Sequence, residues 1–109
     1  MQRDLEKVLQ SIDEDVKKHP VILYMKGTKL MPVCGFSSQV IAVLNSLGID
    51  FETRNILDDE DLRAAIKVYS DWPTLPQLYV NAEFVGGCDI VIELFESGEL
   101  EQIISKQSV

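Results

Sequence analysis

Leu5, Val8, Leu9, Ile12 and Val16 recur at the spacing of one helix face, with charged residues between them. The pattern predicts an amphipathic helix ending at His19-Pro20, because the residue before a proline avoids the α region. Val21–Met25 is a short, strongly apolar run between Pro20 and Gly27, and reads as a buried strand, parallel and central. Residues 27–33 form a loop with Gly and Pro. Phe36, Val40, Val43, Leu44 and Leu47 give a second helical stripe, stopped at Gly48.

Ile49, Phe51 and Thr53 alternate with Asp50, Glu52 and Arg54, the period of a second strand. Asp58 and Asp59 are placed to cap a third helix carried by Leu62, Ala65, Ile66 and Tyr69. Trp72-Pro73-Thr74-Leu75-Pro76 interrupts the chain. Gln77–Val80 and residues 83–85 then read as two strands of a hairpin around Asn81-Ala82, a turn without the glycine that best suits a type I′ loop. Asp89 opens a helix through Ile90, Val91, Leu94 and Phe95, stopped by Gly98. Leu100, Ile103 and Ile104 mark a last short helix. Tyr79, Phe84 and Phe95 read as core. A βαβ half followed by a ββα half implies an α/β, thioredoxin-like fold: a four-stranded mixed sheet flanked by about five helices.

The 109 residues, 46% hydrophobic and 26% charged, suit one compact domain spanning 1–109. A net charge of −8 argues against nucleic acid, which needs clustered Lys and Arg, and against an anionic membrane surface. No apolar run approaches the roughly 20 residues of a membrane-spanning helix. The start, MQRDLEKVLQ, shows neither a secretory leader nor an acid-poor transit peptide. Two cysteines do not make a disulfide scaffold, so a reducing, cytoplasmic setting is expected.

Cys34 stands directly before the second helix. Free N–H groups and the dipole at a helix start stabilise an anion, so this thiol is expected to titrate low and to act as nucleophile or metal ligand; the bland alternative is a small buried hydrophobe. Ser37 occupies the position where Cys-x-x-Cys proteins carry the second thiol, which rules out an internal disulfide there; it also reads as a first-turn capping residue. Lys26 ends the apolar strand, either lowering the Cys34 pKa and attracting an anion or standing solvated. Gly86-Gly87-Cys88-Asp89 offers close backbone approach and free N–H groups for a carboxylate, or a hairpin exit with Asp89 as a plain N-cap. Arg63 alone is an ordinary exposed arginine, with Lys67 one turn later on the same face. Cys88 reads as a packing residue, a ligand neighbour or a slow disulfide partner for Cys34.

Cys34-Gly35-Phe36-Ser37 resembles the signature of the CGFS monothiol glutaredoxins. The resemblance extends in family order through Tyr24-Met25-Lys26-Gly27-Thr28, Pro32-Val33, Trp72-Pro73-Thr74-Leu75-Pro76-Gln77, Gly86-Gly87-Cys88-Asp89-Ile90 and Ser97-Gly98-Glu99-Leu100. The loop between Lys26 and Cys34 has the long form of this class. The resemblance implies a glutathione site: Lys26 beside the thiol, Gly35, Phe36 and Ser37 at the helix start, and Arg63 with Lys67 on one carboxylate. Thr74, Leu75 and a cis Pro76 would pair with the peptide, and Gly87, Cys88 and Asp89 would take its other end. It further implies a labile [2Fe-2S] cluster held by Cys34 and glutathione from each of two protomers, since such a cluster needs four thiolates. The expected function is an iron–sulfur carrier acting in cluster transfer and iron homeostasis, a homodimer through the cluster, with a BolA-like protein and iron–sulfur acceptor apoproteins as partners. The alternative is a glutathione-dependent monothiol disulfide oxidoreductase with weak activity.

Overall fold

The computed structural model describes residues 4–105, and its first helix, α1 (Leu5–Lys18), buries Val8, Ile12 and Val16 as their spacing predicts. The Asp4 carboxylate accepts from the Glu6 N–H at 3.1 Å and caps it. The strands are β1 (Val21–Met25), β2 (Glu52–Asn55), β3 (Gln77–Val80) and β4 (Glu83–Gly86). The remaining helices are α2 (Gly35–Ser46), α3 (Glu60–Ser70), α4 (Cys88–Ser97) and α5 (Glu99–Ser105). No described helix is long and apolar enough to cross a membrane.

The sheet order is β2-β1-β3-β4. β1 lies parallel to β2 and antiparallel to β3, with Leu23 opposite Thr53 on one side and Leu78 on the other. Every residue of β1 is buried. A strand turns alternate side chains to opposite faces, and here both faces are covered. Val21, Leu23 and Met25 pack with Val40, Leu44, Val91 and Leu100 from α2, α4 and α5. Ile22 and Tyr24 pack with Val8, Ile12, Ala65 and Ile66 from α1 and α3. The α/β thioredoxin-like class is the one expected.

Details differ from the apolar pattern. The second strand starts at Glu52; Phe51 is buried and Ile49 partly so, but both precede the ladder. Their alternation came from packing against the core, without strand pairing. A single 3-10 turn, Ile56–Asp58, follows β2, and Asp59 rather than Asp58 caps α3 through the Leu62 N–H at 3.0 Å. Asn81 and Ala82 both have positive φ, 54° and 68°, the signature of a type I′ turn made without glycine. Phe95, expected in the core, is exposed at 36%. It sits one residue, about 100° of helix rotation, past Leu94, which packs against the core.

This topology gathers the chemistry-bearing segments. The ends of β1 and β4 and the start of β3 lie at one end of the sheet, because β3 runs against both neighbours.

Candidate functional site

Cys34 is the N-cap residue of α2, with extended backbone and no side-chain capping bond. Its half-buried thiol instead meets the unpaired N–H groups of the first turn. The backbone N–H of Ser37 is the main influence holding the Cys34 pKa below the usual thiol range. Burial opposes it; the Phe36 N–H, the Lys26 charge and the Ser37 hydroxyl add to it in that order. The thiolate is thus favoured chiefly by the helix start and only secondarily by the lysine.

The loop before Cys34 is tightly held. Gly27 bridges to Pro32, and Thr28 and Met31 exchange backbone hydrogen bonds at 3.1 Å. The Gly27 N–H donates to the Asn55 side chain at 2.9 Å, and the Lys29 ammonium lies 4.4 Å from the centre of the Phe51 ring. Gly27 has φ +98°, and a Cβ there would come within 2.6 Å of the Met31 carbonyl oxygen, so only glycine fits.

Two adjoining hollows open at this end of the sheet. The first, of 310 Å³, is lined by Lys26, Cys34, Phe36, Arg63, Lys67, Pro73, Thr74 and Leu75. The second, of 190 Å³, is lined by Phe36, Trp72, Thr74, Leu75, Pro76, Gly87, Cys88, Asp89 and Ile90. Phe36, Thr74 and Leu75 belong to both, so the hollows form one groove with three cations at one end and the start of α4 at the other. The Leu75-Pro76 peptide is cis. Gly87, with no side chain, is the N-cap of α4; a Cβ there would stand 3.4 Å from the Pro76 carbonyl oxygen and 3.5 Å from the Trp72 indole nitrogen. Asp89 lies in the first turn of α4 and does not cap it.

Eleven of the thirteen residues singled out from the sequence line this groove; Gly35 and Ser37 do not. A Cβ on Gly35 would meet nothing within 4 Å. Ser37 is fully buried and points toward the sheet, accepting from the Lys26 N–H at 3.1 Å, so it does not cap its own helix. Cys88 is buried, its thiol donates to the Gln39 side-chain Oε1 at 3.4 Å, and burial, then Asp89 and Cys34, pushes its pKa up. Trp72, Pro73 and Ile90 also line the groove and were not singled out; a large aromatic heading a proline-rich interruption was the available signal.

Residues 21–85 match the family model of glutaredoxin. A Rickettsia typhi protein named "Probable monothiol glutaredoxin 2" is 54% identical over 94% of this chain and 92% of its own length. A Synechocystis protein, "Uncharacterized monothiol glutaredoxin ycf64-like", is 57% identical over 85% of this chain and 87% of its own. The chain belongs to the monothiol glutaredoxins. Among solved structures, reduced apo GrxS14 from poplar superposes with a TM-score of 0.80 at 52% identity, covering 89% of each chain. In this monothiol glutaredoxin the start of α2 carries one thiol, Cys34; the buried Ser37 hydroxyl takes the place of a second one.

Proposed function

We propose that this glutaredoxin binds glutathione along the groove and carries a [2Fe-2S] cluster as cargo between two copies of itself. One observation carries the reading: the Cys34 thiol, held toward its thiolate, opens on a groove with cations at one end and an unpaired helix start at the other. Glutathione is a peptide with two carboxylates, an ammonium and a thiol. Lys26, Arg63 and Lys67 suit one carboxylate. The N–H groups behind Gly87 suit the other, with Asp89 for the ammonium. The backbone at Leu75, ahead of the cis Pro76, suits β-type pairing with the peptide.

Among the described residues, no three His, Cys, Asp or Glu side chains converge to hold a metal ion. A cluster with four thiolate ligands therefore fits this donor set only when Cys34 is joined by thiols from outside. Two protomers and two glutathiones supply four. Ligands that diffuse away make such a cluster easy to give up, which suits delivery to acceptor apoproteins or exchange with a BolA-like partner.

Anaerobic reconstitution with iron, sulfide and glutathione tests the reading. A coloured dimer should form, and omitting glutathione should abolish it; a stable coloured monomer would sink the bridged arrangement.

The depressed Cys34 pKa also favours a second reading, reduction of protein–glutathione mixed disulfides. The Cys34 thiolate attacks the glutathione sulfur and releases the protein thiolate. A second glutathione thiolate then attacks the Cys34–glutathione disulfide, giving oxidised glutathione and free Cys34. Turnover with a glutathionylated peptide, beside cluster uptake, separates the two.

A further inference from the structure

Gln77 is a fully buried polar side chain at the start of β3, directly after the cis Leu75-Pro76 peptide. It does not line the groove, yet its amide is completely engaged. Nε2 donates to the carbonyl oxygens of Trp72 at 3.2 Å and Thr74 at 3.1 Å. An amide nitrogen has two hydrogens, so both are used. Oε1 accepts from the Tyr79 hydroxyl at 3.1 Å. The two carbonyls fix which way round the amide sits, since an inverted amide would aim its oxygen at both; the Tyr79 hydroxyl, able to donate or accept, then anchors the amide oxygen. Tyr79 is itself immobilised, with ring centres of Tyr24, Tyr69 and Phe84 within 5.9 Å. Phe84 continues the stack to Trp72, at 5.9 Å.

We infer that Gln77, anchored by Tyr79, is a positioning residue that holds the segment from Trp72 to Thr74 in the shape that makes the groove. That segment supplies walls to both hollows. Apart from the Gln77 amide, its backbone is held mainly at Trp72, whose N–H donates to the Lys67 carbonyl at 3.3 Å and the Ser70 hydroxyl at 3.1 Å, and whose carbonyl also accepts a long bond from the Ser70 hydroxyl at 3.5 Å. Thr74 and the turn into Leu75 depend on Gln77. The amide acts on the peptide-pairing wall, whereas the Cys34 thiol is governed by the α2 start and Lys26 on another element. Groove shape and thiol activation are therefore set by separate parts of the fold. The effect on ligand affinity rests on the glutathione reading above; the effect on the segment does not.

Trp72 is the one tryptophan of the chain, so its fluorescence reports this segment directly. Gln77→Met keeps the side-chain length and removes both donors. Tyr79→Phe keeps the ring stack and removes only the hydroxyl that anchors the amide oxygen. Both variants should show greater acrylamide quenching of Trp72 and lower anisotropy, Gln77→Met more than Tyr79→Phe. Glutathione measured by calorimetry should bind about tenfold more weakly to Gln77→Met, because the freed segment has to be re-ordered when the peptide pairs with it. The pH midpoint of Cys34 alkylation should stay at the parental value in both. Parental quenching and parental affinity in a folded Gln77→Met protein would overturn the inference. So would a Cys34 midpoint that moves together with affinity, which indicates general loss of packing. Should Gln77→Met fail to fold, the same readouts on Tyr79→Phe decide. If the parent itself binds no glutathione, the groove reading falls, while Trp72 quenching still decides the role of Gln77.

Discussion

The buried hydroxyl of Ser37 accepts a hydrogen bond from the backbone N–H of Lys26 at 3.1 Å, tying the first turn of α2 to the end of β1. The same hydroxyl helps to hold the Cys34 thiol below its ordinary pKa. One small side chain thus joins the two elements that lower the thiol's pKa.

Ser37→Ala should cost about 1–3 kcal/mol in urea denaturation, because it leaves a backbone donor without its partner. It should also raise the pH midpoint of Cys34 alkylation. Ser37→Cys places a second thiol beside the first and should form an internal disulfide with Cys34 on mild oxidation. A thiol count that stays at the reduced value would contradict this geometry.

Lys26 and Arg63 line the same hollow from β1's end and from α3. Charge-assisted hydrogen bonds are worth roughly 1.5–3 kcal/mol, so Lys26→Ala or Arg63→Ala should weaken glutathione binding about tenfold or more. Only Lys26→Ala should also raise the Cys34 pKa, and modestly, since the Ser37 N–H leads that shift. Parental affinity in both variants would mean that the anion sits elsewhere.

The two thiols should pull stability in opposite directions with pH. The folded-state pKa of Cys34 is lowered, so its contribution is fully present above the unfolded-state value, about 8.5, and is lost as pH falls through the folded value. Cys88 is raised, so it favours the folded state below its unfolded-state pKa and loses that as pH rises through the folded value. In urea titrations under reducing conditions, the stability of the parent minus that of Cys34→Ser should climb toward pH 9. The same difference for Cys88→Ala should fall. A flat Cys34 difference would refute a thiolate-favouring helix start.

Gly27 and Gly35 flank the thiol loop but tolerate change differently. Gly27→Ala combines positive φ with a backbone clash and should destabilise by about 2 kcal/mol or more, disturbing Cys34 alkylation as well. Gly35→Ala faces open space and should leave stability within about 0.5 kcal/mol. Equal urea midpoints for the two variants would show the Gly27 loop to be looser than its hydrogen bonds imply.

Much of this architecture was legible in the order of residues. The helical stripe of α1, the wholly apolar run of β1 and the stop signals at Pro20, Gly48 and Gly98 encode local periodicity, and periodicity is a property of the chain itself. Cys34 ahead of a helical stripe likewise announced a thiol at a helix start, because that placement needs only neighbours in sequence. Burial against distant segments is another matter. Phe51 alternates like a strand residue but is buried outside the ladder, and Phe95 continues an apolar pattern yet lies at the flank of its helix. Ser37 and Gln77 look like ordinary polar residues; only the folded chain buries both and gives Ser37 the N–H of Lys26 and Gln77 the carbonyls of Trp72 and Thr74. A buried polar group is stable where its partners are, and those partners arrive from other elements when the sheet forms. The sequence alone therefore determined which groups can do chemistry, while the tertiary structure decided which of them share a groove and which hold it in shape.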